Sequence, residues 1–226
     1  LLTDPFGERV LDWMLSAFHS NDIRFITFVG GYKIDEIGDK YPRLNYIYNP
    51  DWERTQSLSS LKHASQEIQG PTLISYADIM FRPESCKRLL DQSGESITIA
   101  VDSSWKKRNP NAPTEAKPRK NLVIRSGDVV RDIGFLQPSL AIDSEFTGLV
   151  NFGEVGSKHL LNFLEREYDQ LINCSFGQSE DVRMGYITDL LRYYLLQGIE
   201  IKAVDIGPNW AEMDSPDQMS RFVLGT

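Results

Sequence analysis

The chain has 226 residues, 41% hydrophobic and 25% charged, a globular balance that argues against disorder. Its formal net charge of −8 argues against non-specific binding to nucleic acid or to an anionic membrane. No long apolar span, signal peptide or lipidation motif is visible, and Cys86 and Cys174, far apart and without metal spacing, read as reduced thiols of a cytoplasmic protein.

Gly7 to Asn21 reads as a helix, because Val10, Leu11, Met14, Leu15 and Phe18 recur at helical spacing. Ile23 to Val29 is an apolar strand stopped by Gly30-Gly31. Tyr32 to Lys40 is a short helix, and Leu44 to Tyr48 a second strand before the turn Asn49-Pro50-Asp51. Gln56 to Gln69 is a helix, Thr72 to Tyr76 a third strand, Pro83 to Asp91 a helix opened by proline, and Ser96 to Val101 a fourth strand. This alternation predicts an α/β fold: a Rossmann-like mixed, mainly parallel sheet with helices on both faces.

After Asp102 the pattern changes. Lys106 to Lys120 is rich in Lys, Arg, Pro and Asn and reads as an exposed loop. Asn121 to Phe135 alternates around Ser126-Gly127-Asp128, the signature of a hairpin. Phe146 to Phe152 is a strand, Val155 to Tyr168 and Gln178 to Gln197 are helices, Ile199 to Ile206 is the last strand, and Ser215 opens a terminal helix. No linker separates two self-sufficient cores, so residues 1–226 read as one domain with a β-rich insertion at about 103–150.

The chemistry gathers at strand ends, where open α/β sheets bind ligands. Asp78 closes the run Pro71-Thr-Leu-Ile-Ser-Tyr-Ala-Asp78, and Glu212 and Asp214 follow the strand Ile201 to Ile206 in a similar setting. Two carboxylates meeting there suit a hard cation such as Mg²⁺. On position alone Asp78 reads first as a surface cap on a strand end, and Asp214 in Asp-Ser-Pro as a helix N-cap; the setting they share raises the functional reading. Thr55, Gln56 and Ser57 open a helix after the Asn49-Pro50-Asp51 turn, where side chains and backbone N–H groups face either a ligand or a plain turn. Gly30-Gly31-Tyr32 permits close backbone approach. Glu145 starts a strand as a candidate partner for a second substrate. Asp102 and Trp105 offer an acid and an aromatic for a cationic group, with a Trp packed over an inserted loop as the plainer alternative. Lys106-Lys107-Arg108 and Lys117 to Lys120 form a basic stretch that either closes over phosphates or is simply solvated. The three histidines have no metal spacing, and no Gly-x-Ser-x-Gly elbow is present.

Taken in order, these segments carry a resemblance. Gly7-Glu-Arg-Val-Leu-Asp-Trp13, Phe28-Val-Gly-Gly31-Tyr32, Asn49-Pro-Asp-Trp52 with Thr55-Gln56-Ser57-Leu58-Ser-Ser-Leu61, Ile74-Ser-Tyr-Ala-Asp78, Glu145-Phe-Thr-Gly148 and Asn209-Trp-Ala-Glu-Met-Asp214-Ser-Pro216 together resemble the sugar-phosphate nucleotidyltransferase superfamily, closest to its small phosphocholine and phosphonate cytidylyltransferases. The resemblance implies the nucleotide-diphospho-sugar transferase fold and Mg²⁺-dependent transfer from an NTP, CTP above all. The acceptor would be a small phosphate or phosphonate such as phosphocholine or 2-aminoethylphosphonate. It implies that Asp78 and Asp214 are catalytic and hold the metal, and that Gly31, Tyr32 and Thr55 bind nucleotide. Gln56, Ser57, Asp102, Trp105, Glu145 and Glu212 would line the substrates. A homodimer is compatible with it. The family's first strand and glycine-rich phosphate loop would precede Leu1, and a sugar-1-phosphate nucleotidyltransferase or a silent domain of the same fold are the alternatives.

Overall fold

The computed structural model describes residues 3–108, 119–136, 142–213 and 216–224. The predicted ligand Asp214 and residues 109–118 of the basic stretch lie outside these.

The elements run α1 (Val10–His19), β1 (Thr27–Gly30), α2 (Ile34–Gly38), β2 (Asn45–Tyr48), α3 (Ser57–His63), β3 (Thr72–Ser75), β4 (Ile79–Phe81), α4 (Pro83–Gln92), β5 (Ile97–Asp102) and α5 (Trp105–Arg108). They continue with β6 (Arg119–Ser126), β7 (Val129–Leu136), β8 (Ser144–Phe152), α6 (Glu154–Asn162), α7 (Ile187–Leu196), β9 (Ile201–Asp205), β10 (Trp210–Glu212) and α8 (Pro216–Leu224).

The main sheet has six strands in the order β3-β8-β5-β9-β7-β6. Alternation of side chains along its central strands makes two cores, one on each face. Ile97, Ile99 and Val101 of β5, Phe146, Val150 and Phe152 of β8 and Ile201 and Ala203 of β9 pack with Leu58, Leu160, Leu190 and Leu191 from α3, α6 and α7. Ala100, Leu149 and Val204 point the other way, toward Val10, Leu11 and Met14 of α1, Leu89 of α4, Met219 of α8 and all three residues of β4. Each fully buried Leu, Ile or Phe contributes about 1.5–3 kcal/mol, which makes this two-sided burial the main force behind the fold.

The α/β class stands, but the parallel share of the sheet is smaller than expected. Within the main sheet β5 and β9 run parallel, while β3–β8, β8–β5, β7–β9 and β6–β7 are antiparallel; β1 and β2 form a separate parallel pair. Two features cause this: β8 returns between β3 and β5 and opposes both, and the β6–β7 hairpin docks antiparallel on β9. A strand buried on both faces is apolar whichever way its neighbours run, so the sequence does not encode the direction. The hairpin forms as expected: Ser126 pairs with Val129 around Gly127, whose φ of +64° suits a tight turn.

Four further elements differ. The helix expected from Gln178 begins only at Ile187. Aspartate side chains capture the backbone donors ahead of it: Asp181 accepts from the N–H groups of Asn173 (2.8 Å) and Arg183 (2.7 Å), and Asp189 from those of Gln178 (3.0 Å) and Tyr186 (2.9 Å). The helix expected over Val155 to Tyr168 loosens into a π-turn at Phe163–Glu167. The short strands β4 and β10 were not foreseen. No helix among the described residues is long and apolar enough to cross a membrane.

Candidate active site at the strand ends

The two acidic segments meet. β10 pairs antiparallel with β4, with Trp210 opposite Phe81, Ala211 opposite Met80 and Glu212 opposite Ile79. One step beyond the ladder the Met213 N–H donates to the Asp78 carbonyl at 2.7 Å. The exposed side chains of Asp78 and Glu212 therefore belong to adjacent chain segments, and Asp214 follows directly. β4 is held down by its apolar residues: Ile79, Met80 and Phe81 are all buried, with Phe81 against Phe18 at 5.6 Å between ring centroids. Among the described residues no group of three or more His, Cys, Asp or Glu side chains is gathered for a metal. The donors at this point are carboxylate oxygens, which fit a hard cation that completes its shell with substrate oxygens.

Tyr76, two residues before Asp78, ties this point to the next. Its N–H donates to the Gly148 carbonyl at 3.0 Å, and its ring lies against Gly148 so closely that a Cβ there would stand 2.7 Å from Tyr76 Cδ2. Gly148 also has a φ of +89°, so glycine is required on both counts. Burial holds the Tyr76 hydroxyl well above the ordinary phenol range, opposed by its hydrogen bond with Ser57. Sequence reasoning did not single out Tyr76.

The turn before α3 is built differently. Asn49, 1% exposed, donates to the hydroxyls of Thr55 (3.2 Å) and Ser60 (3.1 Å) and accepts from the Asp51 N–H (2.9 Å). Thr55 Oγ donates to the Asp51 carbonyl at 2.8 Å, and Ser57 Oγ accepts from the Ile187 N–H at 3.3 Å. The N–H groups of Gln56 and Leu58 donate to the carbonyls of Arg183 and Gly185 at 2.9 and 3.1 Å. Of the two alternatives, ligand or plain turn, the N–H groups of Gln56 and Leu58 follow the second and serve the protein itself, because residues 181–187 dock on them. Gln56 is half-buried. The space beside Gly31 is likewise filled by the protein: a Cβ there would fall 2.1 Å from Trp52 Cγ, so the Trp52 side chain packs directly on the glycine. Tyr32 and Trp52 form an exposed aromatic pair beside it, 5.5 Å between centroids.

Asp102, Trp105 and Glu145 were expected to line an acceptor pocket together. The structure brings Asp102 and Glu145 directly opposite one another on β5 and β8. Glu145 is half-buried, whereas Asp102 is 0% exposed and turned inward. Its Oδ1 accepts from the Ser104 N–H (2.7 Å) and hydroxyl (2.6 Å), and its Oδ2 from the Trp210 indole N–H (3.2 Å). Trp105 is 8% exposed and packs with Leu122, Leu136 and Ile142 under the hairpin. Both therefore give up the acceptor-facing placement for an internal one. The Asp-Ser-Ser sequence after a buried strand was the legible sign, since Asp side chains cap the N–H two residues on.

No model of a known protein family matches the chain. A curated relative from Campylobacter jejuni, named CTP:phosphoglutamine cytidylyltransferase, is 24% identical over 221 residues, covering 92% of this chain and 84% of that protein. The inositol-1-phosphate CTP transferase from T. maritima has a similar structure, with a TM-score of 0.72 at 14% identity over 97% of this chain and 82% of the other. The CTP:phosphocholine cytidylyltransferase from Streptococcus pneumoniae gives a TM-score of 0.62 at 13% identity over 93% and 82%. These likenesses bear out the resemblance carried by the motifs and the fold class it implies. All three proteins are nucleotidyltransferases, the kind of enzyme expected of this chain.

Proposed function

We propose that this chain is a cytidylyltransferase domain with a β-rich insertion, and that it transfers CMP from CTP to a small phosphate or phosphonate. The observation that carries this reading is the contact of Met213 N–H with the Asp78 carbonyl, which sets two acidic strand ends side by side. Three proteins similar to this chain are named for CTP chemistry, which favours cytosine as the base.

In the reaction an oxygen of the acceptor attacks the α-phosphorus of CTP. The new P–O bond forms as the bond to the β-phosphate oxygen breaks, and pyrophosphate leaves with the electron pair. Asp78 and Asp214 would hold Mg²⁺, which when bound neutralises phosphate charge and the charge that develops in transfer. The backbone ladder orients Asp78 and Glu212, and Tyr76 supports the turn between them and the nucleotide side. Tyr32 and the Gln56 side chain would contact the nucleotide, and Ser57, held by the Ile187 N–H, would stay in the frame behind them. Glu145 would supply negative charge to an acceptor ammonium, as in phosphocholine or 2-aminoethylphosphonate.

The test is pyrophosphate release by the full-length gene product with Mg²⁺ and each of CTP, UTP, GTP, ATP and dTTP. The acceptor panel holds phosphocholine, 2-aminoethylphosphonate and hexose-1-phosphates. Release with CTP and an amine-bearing acceptor is expected. Release only with a sugar phosphate would overturn the acceptor class, and no release from folded protein would favour a silent domain. Glu145→Gln should raise KM for a cationic acceptor by about tenfold and leave that for CTP nearly unchanged, because only the acceptor loses a charge partner. Equal changes in both would remove Glu145 from the acceptor site.

A further inference from the structure

The ladder that carries the acidic strand ends is three residue pairs long and stands apart from the main sheet. One backbone bond continues it at each end, Met213 N–H to the Asp78 carbonyl and Arg82 N–H to the Asn209 carbonyl, and a slip of one residue would turn every side chain to the other face. A side-chain bond from the main sheet adds a constraint that the ladder itself does not supply. Asp102 ends β5 in the main sheet, and its Oδ2 accepts the indole N–H of Trp210 across 108 residues of sequence. Trp210 opens β10 and is 4% exposed. Its ring packs in the same core as Ile79, Met80 and Phe81. A carboxylate with no accessible surface needs donors, and Ser104 and Trp210 supply three. Ser104 pins one oxygen from its own strand end, so the other oxygen has a fixed direction in which to accept the indole.

The geometry points to Asp102 as a positioning residue. Through the indole N–H of Trp210 its carboxylate sets the register of β10, and with it the place of Glu212 and Met213 against Asp78. It touches no substrate. The consequence for turnover rests on the function proposed above; the structural part does not.

The experiment uses Trp210→Phe, which removes the N–H and keeps an aromatic ring, and Asp102→Asn, which keeps one oxygen that can accept the indole. Hydrogen exchange would be followed by mass spectrometry in the full-length protein. In Trp210→Phe, amides over 210–213 should exchange at least about tenfold faster, with β5, β8 and β9 unchanged. In the same variant kcat should fall at least about tenfold with the KM for CTP within about twofold, since misplacement harms the transition state more than binding. Asp102→Asn should lie between this variant and the wild type in both readouts.

Unchanged exchange at 210–213 in folded Trp210→Phe would overturn the inference. So would faster exchange with unchanged kcat, which is a structural role alone. Wild-type protein that turns over no nucleotide would remove the proposed function, and exchange alone would then decide whether Asp102 sets the ladder.

Discussion

Two strand-end regions carry the motifs of this chain, and they are built in opposite ways. At Asp78 the backbone is satisfied by a distant strand and the carboxylate remains exposed. Over residues 49–58 both backbone and hydroxyl groups bond within the protein, to Asp51, Arg183, Gly185 and Ile187. A motif therefore does not announce its role. The first region presents a charged group held from behind. The second is the frame that holds other groups in place.

That contrast can be broken at either side. The largest effect is expected at Asp78. Asp78→Asn should lower kcat/KM by about 10³-fold, or about 4 kcal/mol, while the unfolding midpoint hardly moves, because an exposed side chain is changed. Pyrophosphate release and a thermal melt check both halves. Asn49→Ala should do the reverse. Loss of three part-buried hydrogen bonds should cost about 2–3 kcal/mol in urea unfolding, with kcat/KM per folded molecule changed less than about tenfold. A smaller effect is expected at Asp181, in the segment that docks on α3. The hydrogen bond from Arg183 holds its carboxyl well below the ordinary value of 3.8. Its folded pKa is lowered, so its stabilisation is complete above the unfolded value and fades as pH falls through that value toward the folded one. Asp181→Asn should cost about 2 kcal/mol at pH 7 and flatten the stability profile below about pH 4. A profile with the same slope as wild type would deny the pair that role.

Much of this was legible beforehand. Apolar runs located β1, β2, β3, β5, β8 and β9, and helical spacing located α1 and α4 to within a few residues. The strand-end rule placed Asp78 and Glu212 together. β4 and β10 escaped notice because three residues are too few to show a period. The 178–186 segment was misjudged because its amphipathic pattern is real, yet Asp181 and Asp189 compete for the donors a helix needs. Asp102 and Trp105 were misjudged because burial depends on partners far along the chain, Trp210 for one and Leu122, Leu136 and Ile142 for the other.

The pairing of β4 with β10 also dictates an order of events during synthesis. At roughly 5–20 residues per second, the ribosome makes β4 about 6 to 26 seconds before its partner strand exists. Through that interval Ile79, Met80 and Phe81, all buried in the finished protein, lack the strand that closes over their edge. A nascent chain stalled between β9 and β10 would carry an open, apolar strand edge, the kind of surface that chaperones bind and that drives aggregation.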